Sequence, residues 1–179
     1  MLPTHNDLPI EVRASAVVEL NARLADSIDL MLAAKQAHWN VKGPNFLELH
    51  KLFDEIVEAS REFVDLMAER AVQLGGLAEG TLRAAAKRSS LGDYPLCIIS
   101  QREHINALSN VLATFGMRVR HAIDETDALG DRDTADIFTE VSRATDKFLW
   151  FVEAHLPEFD VNGRPRGRGQ STQSAVVGG

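Results

Sequence analysis

Apolar residues recur along most of this chain at steps of three and four, the spacing that gathers them on one face of an α-helix. Val17, Leu20, Leu24, Ile28, Met31 and Leu32 mark a first long helix from about residue 11 to 41. Phe46, Leu49, Phe53, Ile56, Phe63, Met67 and Leu74 mark a second from about 44 to 74, stopped by Gly75 and Gly76. In the short link between them, Asn40, Gly43 and Pro44 read as a helix stop, a left-handed cap and a first helical turn. Residues 77 to 95 lose the period except for a short helix at 81 to 88. Ile98, Ile105, Leu108, Leu112, Phe115 and Val119 predict a third long helix over about 96 to 123. Ile137, Phe138, Val141, Phe148, Phe151 and Val152 predict a fourth over about 134 to 156, with Pro157 ending it. No strand-like alternation appears, so the predicted class is all-α, a four-helix bundle with a long crossover.

Composition narrows the class without changing it. Hydrophobic residues make up 45% of 179 residues, enough for one domain with a full core. Residues 1 to 10, with Pro3 and Pro9, read as a flexible arm, residues 11 to 159 as the bundle, and 160 to 179 as a disordered Gly, Ser, Gln and Arg tail. No apolar run approaches ~18 residues and no basic-then-apolar leader opens the chain, so the expectation is a cytoplasmic protein with no membrane span. The single Cys97 excludes an intrachain disulfide and reads as a small buried apolar residue. Lys and Arg number 19 against 26 Asp and Glu, a net charge of −7 that argues against a plain DNA-binding domain.

The candidate chemistry sits beside the apolar stripe of the second helix. At ~100° per residue, His50, Asp54, Asp65 and Glu69 share an arc of roughly 100°, because the step from 54 to 65 is almost three whole turns. The same step rises ~16 Å along the axis, far beyond what one ion can bridge with ligand bonds of ~2.0 to 2.2 Å. One chain therefore cannot close the site. Two antiparallel copies related by a twofold would set His50 and Asp54 of one level with Asp65 and Glu69 of the other, twice over. His38, in phase with Leu24 and Met31 on the first helix, falls at a similar height above the short turn. Singly, such residues read as a core histidine or a solvated acidic face; in register they make an N/O set suited to iron, zinc or manganese. Lys35 and Arg70 are placed to balance the carboxylates. His104, His121 and His155 form no comparable set.

The run Lys35-Gln36-Ala37-His38-Trp39-Asn40-Val41-Lys42-Gly43-Pro44-Asn45-Phe46, then His50, Phe53-Asp54, Asp65 and Met67-Ala68-Glu69-Arg70-Ala71-Val72-Gln73-Leu74-Gly75-Gly76, closely resembles the Dps family of ferritin-like mini-ferritins. Asp133-Thr134-Ala135-Asp136-Ile137 and Asp146-Lys147-Phe148-Leu149-Trp150-Phe151 resemble that family's last helix. The likeness covers roughly residues 15 to 156. It implies a ferritin-like four-helix bundle that binds iron at His38, His50 and Asp54 of one subunit and Asp65 and Glu69 of its mate. It also implies a ferroxidase that oxidises Fe(II), preferentially with hydrogen peroxide rather than oxygen, and stores the ferric mineral in a hollow homododecamer built from twofold dimers, protecting DNA from oxidative damage. Trp39 is similar to a tryptophan beside the family's iron site, with an aromatic core anchor as the other reading. Ordinary ferritins use Glu-x-x-His pairs within one bundle, and this chain contains none.

Two surfaces complete the reading. Asp124, Glu125, Asp127, Asp131, Asp133 and Asp136 crowd into thirteen residues with only Arg132 among them, more than helix capping accounts for. Around a symmetry axis they would focus cations, and the resemblance implies that Asp133 and Asp136 line a threefold iron-entry pore. In the tail, Arg164, Arg166 and Arg168 would form a multivalent basic surface when repeated over a shell. The alternative function is therefore a nucleoid-associated, DNA-compacting protein whose metal site is mainly structural.

Overall fold

The computed structural model describes residues 1–156 and contains five helices among them: α1 (Ile10–Asn40), α2 (Phe46–Gln73), α3 (Leu82–Arg88), α4 (Gln101–Ala128) and α5 (Arg132–Glu153). The tail with Arg164, Arg166 and Arg168 lies outside the described residues. Helices α1 and α2 pack as one hairpin and α4 and α5 as another. The crossover carrying α3 joins them, and the core closes where α1 meets α4 and α2 meets α5. Leu20, Leu24, Phe53, Ile56, Met67, Leu108, Phe115 and Phe138 are all but fully buried there. The expected bundle with its extra short helix is what forms.

Element ends differ from expectation in ways the local chemistry explains. Helix α4 begins at residue 101, not near 96, because Ser100 and Glu103 form a reciprocal capping box. Leu96 and Ile99 lengthened the apolar pattern but stand exposed, and Lys42 holds this stretch extended through Lys42 N to Ile99 O and Gln101 N to Lys42 O, both 2.9 Å. Cys97 is likewise exposed rather than buried. Gly43 is not a left-handed helix cap: its φ is +155°, and a Cβ there would lie 2.6 Å from Gln101 Oε1. The end of α2 is as expected. Gly75, at φ +84°, and Gly76 donate back to Val72 O and Ala71 O, both 2.9 Å, a closing motif that a Cβ at Gly75 would strain.

At the other end of α4 the helix runs on to Ala128, so Asp124, Glu125 and Asp127 sit in its final turns rather than in a loop. Only Asp131 caps α5, accepting from Thr134 N at 3.1 Å. Before α1, residues 1 to 9 have no helix, yet Leu2 N donates to Gly75 O at 2.6 Å and Leu8 packs on the core. Arg13, buried, donates to Leu8 O and Leu74 O, both at 3.0 Å, and so ties this segment to the end of α2.

Candidate metal centre

The tight turn after α1 brings His38, in its last turn, against His50, one turn into α2. Their rings stack with centroids 3.7 Å apart and planes 21° from parallel. Each Nδ1 meets the other residue's backbone carbonyl, His38 Nδ1 to His50 O at 2.8 Å and His50 Nδ1 to His38 O at 2.9 Å. A carbonyl only accepts, so both Nδ1 atoms carry hydrogen, and in a neutral ring the lone pair is then on Nε2. Such a partner on the far nitrogen is the device that fixes tautomer and ring orientation in metal-binding histidines. Phe46 leans on the His50 ring, 5.1 Å between centroids.

Asp54, one turn beyond His50, joins them. Its Oδ1 accepts from Lys35 Nζ at 2.5 Å and lies 3.8 Å from His38 Nδ1. The Lys35 hydrogen bond, with lesser contributions from the charges of His38, Lys35 and His50, holds this carboxyl below its ordinary range against the opposing effect of burial. It is an anion at neutral pH, with Oδ2 outside the lysine contact. Replacing Lys35 with Met removes a half-exposed cation competing for that anion. We expect Mn(II) or Zn(II) to bind about two- to fivefold more tightly, the scale of a surface ion pair of ~0.5–1 kcal/mol; calorimetric titration measures it, and weaker binding would mean that the lysine positions Asp54.

Asp65 and Glu69 lie farther along α2 on its exposed side. No three His, Cys, Asp or Glu side chains converge to hold a metal among the described residues of one protomer. Beside Glu69, Ala68, Val72, Gln73 and Ala78 line an open groove that is mostly apolar. Near the histidines, Trp39, Phe46 and Leu47 stand exposed, Trp39 at 66%, so in the single chain Trp39 is no core anchor.

Of the two cations placed to balance the carboxylates, only Lys35 does so. Arg70 turns to the opposite hairpin, donating to Asp131 Oδ1 at 2.7 Å and to Thr134 Oγ1 at 3.0 Å. Asp133 and Asp136 are both exposed at the start of α5, with Asp133 Oδ2 3.9 Å from Arg70 Nη2. His121 is exposed beside Glu125, and His155 bonds Phe151 O. His104 instead pairs with Tyr94, a contact that no helical spacing announces because Tyr94 belongs to the crossover.

Residues 17–160 match the family model of the ferritin-like domain. The DNA protection during starvation protein of Agrobacterium fabrum is 45% identical over 155 residues, which cover 87% of this chain and 96% of that one. Among solved structures, Mycobacterium smegmatis Dps is similar with a TM-score of 0.84 at 31% identity, covering 99% of each chain. Dps from Microbacterium arborescens, in a form described as high iron, is similar with a TM-score of 0.77 at 30% identity, over 87% of this chain and 98% of that one. With a family match across most of its length and relatives this alike, the chain belongs to the Dps family of ferritin-like proteins.

Proposed function

We propose that this chain is a ferroxidase that binds and oxidises Fe(II) between subunits and stores the ferric product. The observation that carries the reading is the His38–His50 lock, in which both Nδ1 atoms are tied to backbone carbonyls near an ionised Asp54, on a helix where Asp65 and Glu69 of the same face begin ~16 Å farther along the axis. A half-built site so organised needs a second copy. In the twofold dimer, His38, His50 and Asp54 of one protomer meet Asp65 and Glu69 of the other. The exposed Phe46, Leu47 and Trp39 flank would then fill the groove beside the partner's Glu69.

Neutral imidazoles hold ferrous iron, and the carboxylates stabilise the added charge of the ferric product, which lowers the cost of oxidation. Hydrogen peroxide is the proposed oxidant, with oxygen as the slower alternative. The ferric oxyhydroxide collects inside a dodecamer, keeping iron and peroxide away from DNA. Zinc or manganese can occupy the same donor set without turning over.

The acidic corner supports iron entry. Asp124, Glu125 and Asp127 lie at a helix C-terminus, the end where the backbone dipole opposes negative charge, and the last turn carries no base. Together with Asp133 and Asp136, around a threefold axis, they would draw cations inward.

Stoichiometric Fe(II) titration with peroxide tests the reading. His50→Ala combined with Asp54→Ala should abolish oxidation while leaving any DNA gel shift intact; wild-type rates in that variant would reject it. The DNA role rests on Arg164, Arg166 and Arg168. Deleting residues 160 to 179 should weaken DNA binding at low salt if it holds, and unchanged affinity would dismiss it.

A further inference from the structure

The His38–His50 lock joins the last turn of α1 to the first turns of α2, and the segment between them, residues 41 to 45, is held from outside by α4. Asn45, the residue before α2, makes no side-chain cap bond, and α1 runs straight into an extended Val41. The start of α4 supplies the closure. Gln101 N, one of the first N–H groups of α4 that no helical carbonyl can reach, donates to Lys42 O at 2.9 Å. The side chain of the same residue turns back on the loop, and its Oε1 accepts from Asn45 N at 3.1 Å. Lys42 N donates to Ile99 O at 2.9 Å on the other edge. Gly43 lies against the same amide group: a Cβ there would stand 3.0 Å from both Cδ and Cγ of Gln101.

One residue thus bonds both to the segment leaving α1 and to the segment entering α2. Lys42 is four residues past His38, and Asn45 is five before His50. The lock is sensitive to how these two ends are held, because its hydrogen bonds run in opposite directions. His38 Nδ1 reaches His50 O at 2.8 Å, and His50 Nδ1 reaches His38 O at 2.9 Å. Sliding or parting the helix ends cannot keep both, and a contact stretched to ~3.6 Å is no longer a hydrogen bond.

We propose that Gln101 is a positioning residue for the metal centre: by bridging Lys42 and Asn45 it sets the register of α1 on α2 at which both imidazoles are locked. The proposal rests on the reading of His38, His50 and Asp54 as metal ligands given above. Gln101 acts through the turn. Partners that hold a ligand directly are typically worth about 10- to 100-fold in metal affinity. Gln101 stands one step further out and one of its two bonds is main-chain, so losing its side-chain acceptor should cost about threefold to tenfold.

The test uses the assembled full chain. Gln101→Met has a side chain of similar length and helix propensity, keeps the main-chain bond to Lys42 and removes the acceptor for Asn45 N. Gln101→Glu keeps an acceptor there. Calorimetric titration with Mn(II) reads affinity. Deuterium exchange at the histidine C2 positions, followed by mass spectrometry without metal, reads how firmly each ring is held. In Gln101→Met, Mn(II) should bind about threefold to tenfold more weakly, and His38 and His50 should exchange faster while His155 does not change. Gln101→Glu should match wild type in both. A bond that merely stabilises the fold would lower the melting midpoint at unchanged Mn(II) affinity, or speed exchange at His155 as much as at His38 and His50; either result overturns the proposal. So does a Gln101→Glu protein as weak as Gln101→Met. In each of these cases wild-type Mn(II) binding leaves the metal reading standing, whereas a wild type that binds no Mn(II) removes that reading and this role with it.

Discussion

Two inactive variants, co-assembled, are expected to recover iron oxidation. One lacks His38 and His50, the other Asp65 and Glu69, all replaced with Ala. Each homodimer has two broken sites. In a mixed dimer one site combines both lesions, whereas the other pairs the second variant's histidines and Asp54 with the first variant's intact Asp65 and Glu69. Random pairing of equal amounts makes half the dimers mixed, so about a quarter of sites should be whole. The measurement is the initial rate of peroxide-dependent Fe(II) oxidation after the mixture is dissociated and reassembled. Parents near background and a mixture near a quarter of the wild-type rate would establish sharing across the dyad. A mixture no better than its parents would place the site within one chain, against the ~16 Å rise between its two halves on α2.

The second large effect concerns stability rather than chemistry. Arg70 and Asp131 are both nearly buried, their side chains 9% and 1% exposed, and Thr134 completes the group by donating to Asp131 Oδ2 at 2.6 Å. Removing either ion alone strands the other in the core, which typically costs 3–5 kcal/mol, so Arg70→Ala or Asp131→Ala should lower stability by roughly that amount. For a chain of this length, that is on the order of 10 °C in melting midpoint. Because assembly adds to apparent stability, melts must be compared at one protomer concentration. Replacing both with apolar residues of similar size should recover most of the loss, since the pair repays little beyond its own desolvation. A single replacement costing under about 1 kcal/mol would show that water reaches the site.

How much of this was readable in the letters depended on whether the signal was local. The four long helices and the short one followed from apolar spacing, because each buries one stripe against its hairpin partner. The second helix ended where Gly75 and Gly76 said it would. The start of α4 departs from the apolar pattern because the Ser100-x-x-Glu103 capping box, not the exposed Leu96 and Ile99, fixes it. The turn at Gly43 departs from a helix cap because its constraint comes from Gln101, distant in sequence. At the candidate centre, the short turn and helical phase account for His38 lying against His50 and for Lys35 reaching Asp54. They could not show the reciprocal carbonyl bonds, which depend on how the two helices settle against each other. Nor could they send Arg70 across the bundle or pair Tyr94 with His104. Such contacts join residues whose spacing carries no period.

The acidic end of α4 is where the chain's thermodynamics and its proposed work pull apart. Asp124, Glu125 and Asp127 are carried against the field of their own helix, each at a penalty of ~0.3–1 kcal/mol. Selection for thermostability alone would drift these positions toward amides or lysine, and every such step would blunt the proposed attraction for metal cations. A hardier variant obtained by that route would be a slower scavenger.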